Sequence, residues 1–299
     1  MLSGVFPIVP TPFAADGSPV ERDLERVVDY IVRAGADGLV FPGVASEFDT
    51  LKPAERTRLA EVVARANGGR IPLVIGVSST DGPSSLGFAA QAKQLGAAAV
   101  MAMNPAAMKD DPARIEAFYR DVADAAGAPV ILQNAPPPLG SALTMAAVAR
   151  LVETVPGVEY VKEETMPCGQ RISQLLALKP RGLKGVFGGA GGRYITDELA
   201  RGAAGTMPAC ELTELHAKQF MLHRVGDAAG VRRLFNRMLP LLNFQAVFRM
   251  AMTKAVLARR GVIESTFVRA AGPRLDAGDE RELDAMLAEL ADILPARAG

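Results

Sequence analysis

The chain has 299 residues, of which 49% are hydrophobic and 22% charged, and its 33 basic and 33 acidic side chains give a formal charge of zero. That balance suits a globular protein with a large core; with no dense Lys/Arg block, it excludes the electrostatic footprint of a nucleic-acid binder. Length alone fits either two average domains or one α/β barrel.

The N-terminal stretch "MLSGVFPIVPTPF" is apolar, yet it lacks a basic start and carries Pro7, Pro10 and Pro12, so it does not read as a signal peptide. No run approaches the roughly 18 apolar residues of a membrane helix. Two cysteines, Cys168 and Cys210, are too few for a disulfide framework and have no CxxC spacing. The expectation is a cytoplasmic protein with reduced thiols.

In chain order, short Val- and Ile-rich runs alternate with longer amphipathic stretches. The runs are Gly4–Pro10, Gly38–Gly43, Pro72–Val77, Ala98–Asn104, Pro129–Asn134, Val158–Glu164, Leu183–Gly189 and Ala203–Ala209. Helical periodicity fills Arg22–Ala36, "LKPAERTRLAEVVARANGG" at Leu51–Gly69, Pro112–Ala126 and Thr144–Val155, with Pro53 suited to a first turn and Asn67-Gly68-Gly69 to a stop. Eight such βα repeats predict a (β/α)8 TIM barrel over residues 1–210. A doubly wound sheet fits less well, because no GxGxxG follows the first strand. Beyond it, Glu211–Ile293 predicts three further helical stretches, so residues 211–299 are expected to pack on the barrel as an appended helical layer. Phe235, Met238, Phe244, Phe248 and Met252 in that layer read as core or subunit contact.

A barrel of this kind carries its chemistry at the C-terminal ends of its strands, and here those ends are polar: "GVASEFDTL", "QNAPPPLG", "VKEET" and "GGAGGR". Alternation along the sixth strand puts Tyr160, Lys162 and Glu164 on one face and Val161 and Glu163 on the other. If the first face points inward, Lys162 lies inside the barrel with Glu164 one step nearer the rim. Desolvation favours the neutral form of an amine, and a neutral amine can attack a ketone to form a Schiff base. A structural ion pair between Lys162 and Glu164 is equally compatible with the spacing. His216 and His223 fall at helical positions without a carboxylate triad, so no metal site is expected. No role is evident for Cys168.

"TPF" at Thr11–Phe13, the Gly-rich turn ending in an acid at Gly43–Glu47, "QNAPPPLG" and "VKEET" together resemble the dihydrodipicolinate synthase/N-acetylneuraminate lyase family. The resemblance runs over essentially the whole chain, including the C-terminal layer. It implies a (β/α)8 barrel, commonly a tetramer, whose lysine forms a Schiff base with a 2-keto acid and which needs no cofactor. Lys162 inherits the lysine's role. The turn that seats the substrate carboxylate in the family corresponds to Gly43-Val44-Ala45-Ser46-Glu47, where backbone N–H groups of Val44 and Ala45 can hold an anion and Ser46 can add a hydroxyl. The run Gly188-Gly189-Ala190-Gly191-Gly192 suits either close approach of a ligand to the backbone, with Gly189 as the contact, or a flexible loop.

The departures from the family pattern point to altered chemistry. The family's proton-relaying tyrosine is Gln133, its threonine partner is Val44, and the arginine that binds the synthase's second substrate is Pro138. An amide hydrogen-bonds but does not exchange a proton near neutral pH. Glu164 stands where most members have a small residue, and burial could raise its carboxyl towards neutrality unless Lys162 pulls it back. Lysine, one spacer and glutamate, with glutamine for tyrosine, resembles the L-2-keto-3-deoxyarabonate dehydratases of the family, which give 2-oxoglutarate semialdehyde. The expected chemistry is therefore water loss from a 2-keto-3-deoxy sugar acid. A pyruvate-dependent aldolase or dihydrodipicolinate synthase is the alternative, and an inactive keto-acid-binding barrel the second alternative. The expected partners are a small 2-keto acid and, as a homotetramer, further copies of the chain.

Overall fold

The computed structural model describes residues 1–295. All eight predicted strands form: β1 (Gly4–Val5), β2 (Leu39–Phe41), β3 (Leu73–Gly76), β4 (Ala99–Ala102), β5 (Val130–Asn134), β6 (Val158–Glu163), β7 (Gly185–Gly188) and β8 (Gly205–Thr206). They pair in parallel in the order β1-β8-β7-β6-β5-β4-β3-β2. A bridge from Ile8 to Val40 then brings the end of β1 against β2, so the sheet closes on itself as a TIM barrel.

Helices α1 (Glu21–Arg33), α2 (Pro53–Asn67), α3 (Gly82–Gln94), α4 (Pro112–Ala126), α5 (Met145–Thr154), α6 (Cys168–Leu178) and α7 (Ile195–Ala200) occupy the crossovers. Their starts have local causes. The carboxylates of Asp81 and Asp111 and the hydroxyl of Thr144 each accept from the backbone N–H three residues on, satisfying a donor that the helix leaves free.

Two apolar layers follow from strand alternation. Phe6, Ile8, Val40, Val74, Met101, Ile131, Tyr160, Phe187 and Met207 fill the barrel, whereas Val100, Leu132, Val161 and Val186 face the surrounding helices. Tyr160 therefore points inward and Val161 outward, which fixes the orientation of Lys162.

Among the described residues the appended layer contains four helices rather than the three expected: α8 (Thr213–Arg224), α9 (Ala228–Phe248), α10 (Met250–Arg259) and α11 (Ala277–Ala288). The stretch "VRRLFNRMLPLLNFQAVFRMAMTKAVLARRG", one of the three expected, breaks at Arg249, whose φ of 47° and ψ of −120° no α-helix can accommodate. Apolar residues continue on both sides of the break, and α10 is buried from Ala251 through Leu257, so periodicity alone did not reveal it. Phe235, Met238 and Met252 are buried in this layer's core, with Phe244 and Phe248 packed against it. The last residues of the expected layer, 296–299, lie outside the described residues. Among the described residues no helix is long and apolar enough to cross a membrane.

Candidate active site

The C-terminal ends of the strands surround a cavity of about 240 Å³ whose lining includes Lys162, Glu164, Val44, Ala45, Ala190 and Arg193. Parallel register sets Gln133 on β5 beside Lys162 on β6, and Asn134 beside Glu163. The odd and even positions of "VKEET" are thereby sent to opposite sides of the sheet.

On the inner side, Lys162 Nζ lies 3.2 Å from Glu164 Oε1, with the lysine side chain only 5% exposed. Glu164 is half-buried and held at both oxygens. Gln133 Nε2 donates to its Oε2 at 2.6 Å, and the Ala190 N–H donates to its Oε1 at 3.2 Å. Burial pushes the Glu164 carboxyl up, but the Lys162 charge, the Gln133 amide and the Ala190 N–H outweigh burial and hold it below its ordinary range. The sequence reading allowed the opposite direction. The reason for the difference is geometric: three donors converge on this one carboxylate.

On the outer side, Glu163 is more than a bystander. Its buried carboxylate accepts from Asn134 Nδ2 at 2.8 Å, the Thr165 N–H at 2.7 Å and Arg171 Nε at 3.2 Å. Asn134 in turn donates to the Leu143 carbonyl at 3.1 Å and accepts from its N–H at 2.8 Å. Glu163 thus ties the loop after β5 to β6 and supports the wall formed by Ala135, Pro136 and Leu139.

The turn after β2 is a short 3-10 segment, Val44–Ser46. Val44 and Ala45 line the cavity, and no carbonyl or side chain among the described residues accepts from their N–H groups. Ser46 behaves differently from the expectation. Its hydroxyl accepts from the Gly43 N–H at 2.9 Å and donates to the Val9 carbonyl at 2.5 Å, so it is consumed inside the turn and does not line the cavity. Gln133 and Gly189 also stand one layer back. Gln133 reaches the cavity through Glu164, and a Cβ on Gly189 would lie 2.4 Å from Glu164 Oε1, so the glycine makes room for the acid.

Several lining residues carried no signal in the sequence. Gln245, Ala246, Arg249 and Met250 arrive from the break between α9 and α10 and cover the cavity from the appended layer. Arg193 Nη1 donates to Gln245 Oε1 at 3.2 Å, which joins the loop after β7 to that layer. Behind β7, the fully buried Glu198 sits where a Gly188 Cβ would otherwise be, 1.9 Å from its Oε2. Neither Glu198 oxygen has a hydrogen-bond partner among the described residues. Burial, reinforced by the charges of Glu164 and Asp197, pushes its carboxyl up to about 8.

His216 and His223 both lie in α8, and among the described residues no group of three or more His, Cys, Asp or Glu is placed to hold a metal ion. Cys168 is buried, and burial followed by the charges of Glu198 and Glu163 pushes its thiol up to about 12, which disfavours a nucleophilic role.

Residues 1–290 match the Dihydrodipicolinate synthetase family. The chain is 30% identical over 291 residues to L-2-keto-3-deoxyarabonate dehydratase of Azospirillum brasilense, covering 96% of this chain and 94% of that protein. It is also 30% identical over 243 residues to the Escherichia coli K12 protein named "Probable 2-dehydro-3-deoxy-D-pentonate aldolase YjhH", covering 80% of each. Among solved structures, dihydrodipicolinate synthase from Rhodopseudomonas palustris superposes with a TM-score of 0.88 at 25% identity, covering 97% of this chain and 98% of that one.

Proposed function

The chain belongs to the dihydrodipicolinate synthetase family, and within it we propose that it is a lysine-dependent dehydratase of 2-keto-3-deoxy sugar acids, of the L-2-keto-3-deoxyarabonate type that gives 2-oxoglutarate semialdehyde. The observation that carries the reading is the pairing of Lys162 with a carboxylate, Glu164, that an amide rather than a phenol holds in place. The relative named as a dehydratase, similar over nearly its whole length, supports it.

In this reading the substrate carboxylate rests on the N–H groups of Val44 and Ala45, and the Lys162 amine adds to the C2 ketone, losing water to give an iminium. The iminium withdraws electrons from C3. Glu164, already ionised beside a cation, takes a C3 proton, and the C3–H electron pair becomes the C2–C3 double bond of an enamine. The enamine then returns its electrons, forming C3=C4 as the C4–O bond breaks. Glu164, now neutral, hands its proton to the departing hydroxyl, so one carboxyl group serves both steps and water leaves. Hydrolysis of the conjugated iminium restores Lys162, and tautomerisation gives the aldehyde.

Aldol cleavage is the second reading, favoured by the likeness to the aldolase named above. It requires a base on the C4 hydroxyl, the role of the family's tyrosine. Gln133 holds that position here, and an amide does not take the proton.

The test is a panel of 2-keto-3-deoxy sugar acids with product identification by mass. Loss of 18 mass units (~18 for one water) with an aldehyde product is expected. Pyruvate plus a shorter aldehyde would replace the dehydratase reading with the aldolase one.

A further inference from the structure

We propose that Glu47 and Lys254 are positioning residues that hold the substrate-carboxylate seat, so that the C-terminal layer sets the affinity of the barrel for its keto acid. The inference rests on the keto-acid reading of the cavity and extends it to two residues that do not line it.

The seat is held from two sides. From the barrel, Ser46 donates to the Val9 carbonyl and Thr11 Oγ1 donates to the Ser46 carbonyl at 2.7 Å. From the appended layer, Lys254 on α10 donates from Nζ to Glu47 Oε1 at 2.6 Å, and the Ala270 N–H donates to Glu47 Oε2 at 2.7 Å. Lys254 Nζ also donates to the Phe267 carbonyl at 2.7 Å and lies 4.4 Å from the Phe13 ring centroid, while Arg269 packs on the same ring at 4.3 Å. The Lys254 and Glu47 side chains are wholly buried, at 0% exposure each.

Two features mark this as more than an anchor for the layer. Glu47 closes the 3-10 turn with φ at 58° and ψ at 40°, a left-handed conformation that is strained for a residue with a Cβ. Its N–H bonds back to the Val44 carbonyl at 3.0 Å, so its conformation is transmitted directly to Val44. The carboxylate held by Lys254 and Ala270 over-determines that conformation, and with it the direction of the Val44 and Ala45 N–H groups. Second, a buried ion pair is a poor source of stability, since apolar residues of similar volume do as well or better. What the pair provides is a fixed geometry spanning 207 residues of sequence.

The test uses pyruvate, the smallest 2-keto acid, trapped on the full-length protein with borohydride and read by mass across a concentration series. Glu47→Gln and the neutral double variant Glu47→Gln/Lys254→Met remove the pair without leaving a lone buried charge in the second case. Expected in both is a half-saturation concentration raised about tenfold, equivalent to one weakened charge-assisted hydrogen bond, with kcat on the preferred sugar acid within threefold of the parent. A variant whose melting temperature falls but whose half-saturation is unchanged overturns the inference, because the pair would then serve only to anchor the layer. Equal half-saturation in a protein that melts normally overturns it as well. Failure of the parent protein to trap pyruvate on Lys162 sinks the keto-acid reading itself, a separate and recognisable outcome.

Discussion

Gly189→Ala tests the geometry of the proposed acid/base without altering Lys162 or Glu164. The added Cβ would lie 2.4 Å from Glu164 Oε1, 2.6 Å from its Cγ and 2.8 Å from its Cδ. An unstrained contact needs roughly 3.5 Å, so the Glu164 carboxyl must retreat by about 1 Å. The retreat is not free, because Gln133 and Ala190 hold the same two oxygens. A displacement of about 1 Å at a reacting group can cost on the order of a hundredfold in rate, and that loss is expected in kcat. Lys162 is not among the nearest atoms the new Cβ would meet; it loses only part of its 3.2 Å contact with Glu164 Oε1, so borohydride trapping of pyruvate should persist. The assay pairs a stopped-time measurement of sugar-acid consumption with mass detection of the trapped adduct. A kcat within threefold of the parent would refute the placement of Glu164 as the working acid/base. Loss of trapping together with turnover would show that the substitution disturbs the whole cavity.

Lys162→Ala should abolish both trapping and turnover, whereas Glu164→Gln should retain trapping and lose on the order of a hundredfold or more in kcat, the usual contribution of a general acid/base. The Gln133 amide can turn over to accept from a glutamine at 164, so this variant is expected to fold, and normal turnover by it would remove Glu164 from the mechanism. Glu198 supplies a test of stability against pH. Its folded carboxyl lies near 8, above the ordinary value of 4.5, so between those values the native state holds a proton that the unfolded state has released. Parental stability should therefore fall as pH rises from about 4.5 to 8, and Glu198→Gln should lack that component. The gap between the two proteins in urea unfolding should widen by on the order of 3 kcal/mol from pH 4.5 to pH 7. A gap that stays constant would show Glu198 to be ionised in the fold.

How much of the site could be read from the sequence depends on how local each cause is. The eight strands were legible because burial on both faces of a parallel strand writes a continuous apolar run, and four of the runs led into polar stretches that marked the rim of the candidate site. The placement of Lys162 and Glu164 on one side was legible for the same reason: side-chain direction along a strand alternates regardless of what the rest of the chain does. The break at Arg249 was not, because apolar periodicity continues across it.

Local sequence alone dictated a barrel whose sixth strand puts a lysine and a glutamate on one shared face, and a glycine-led turn after its second strand. The tertiary structure decided what those groups experience. It consumed the Ser46 hydroxyl in the turn, set Gln133 and Gly189 behind Glu164, and brought Gln245 and Arg249 over the cavity. It also chose the direction in which the Glu164 carboxyl moves, and it joined Glu47 to Lys254. Backbone periodicity is a property of neighbouring residues. Charge state and hydrogen-bond satisfaction depend instead on groups that become neighbours only when the chain closes.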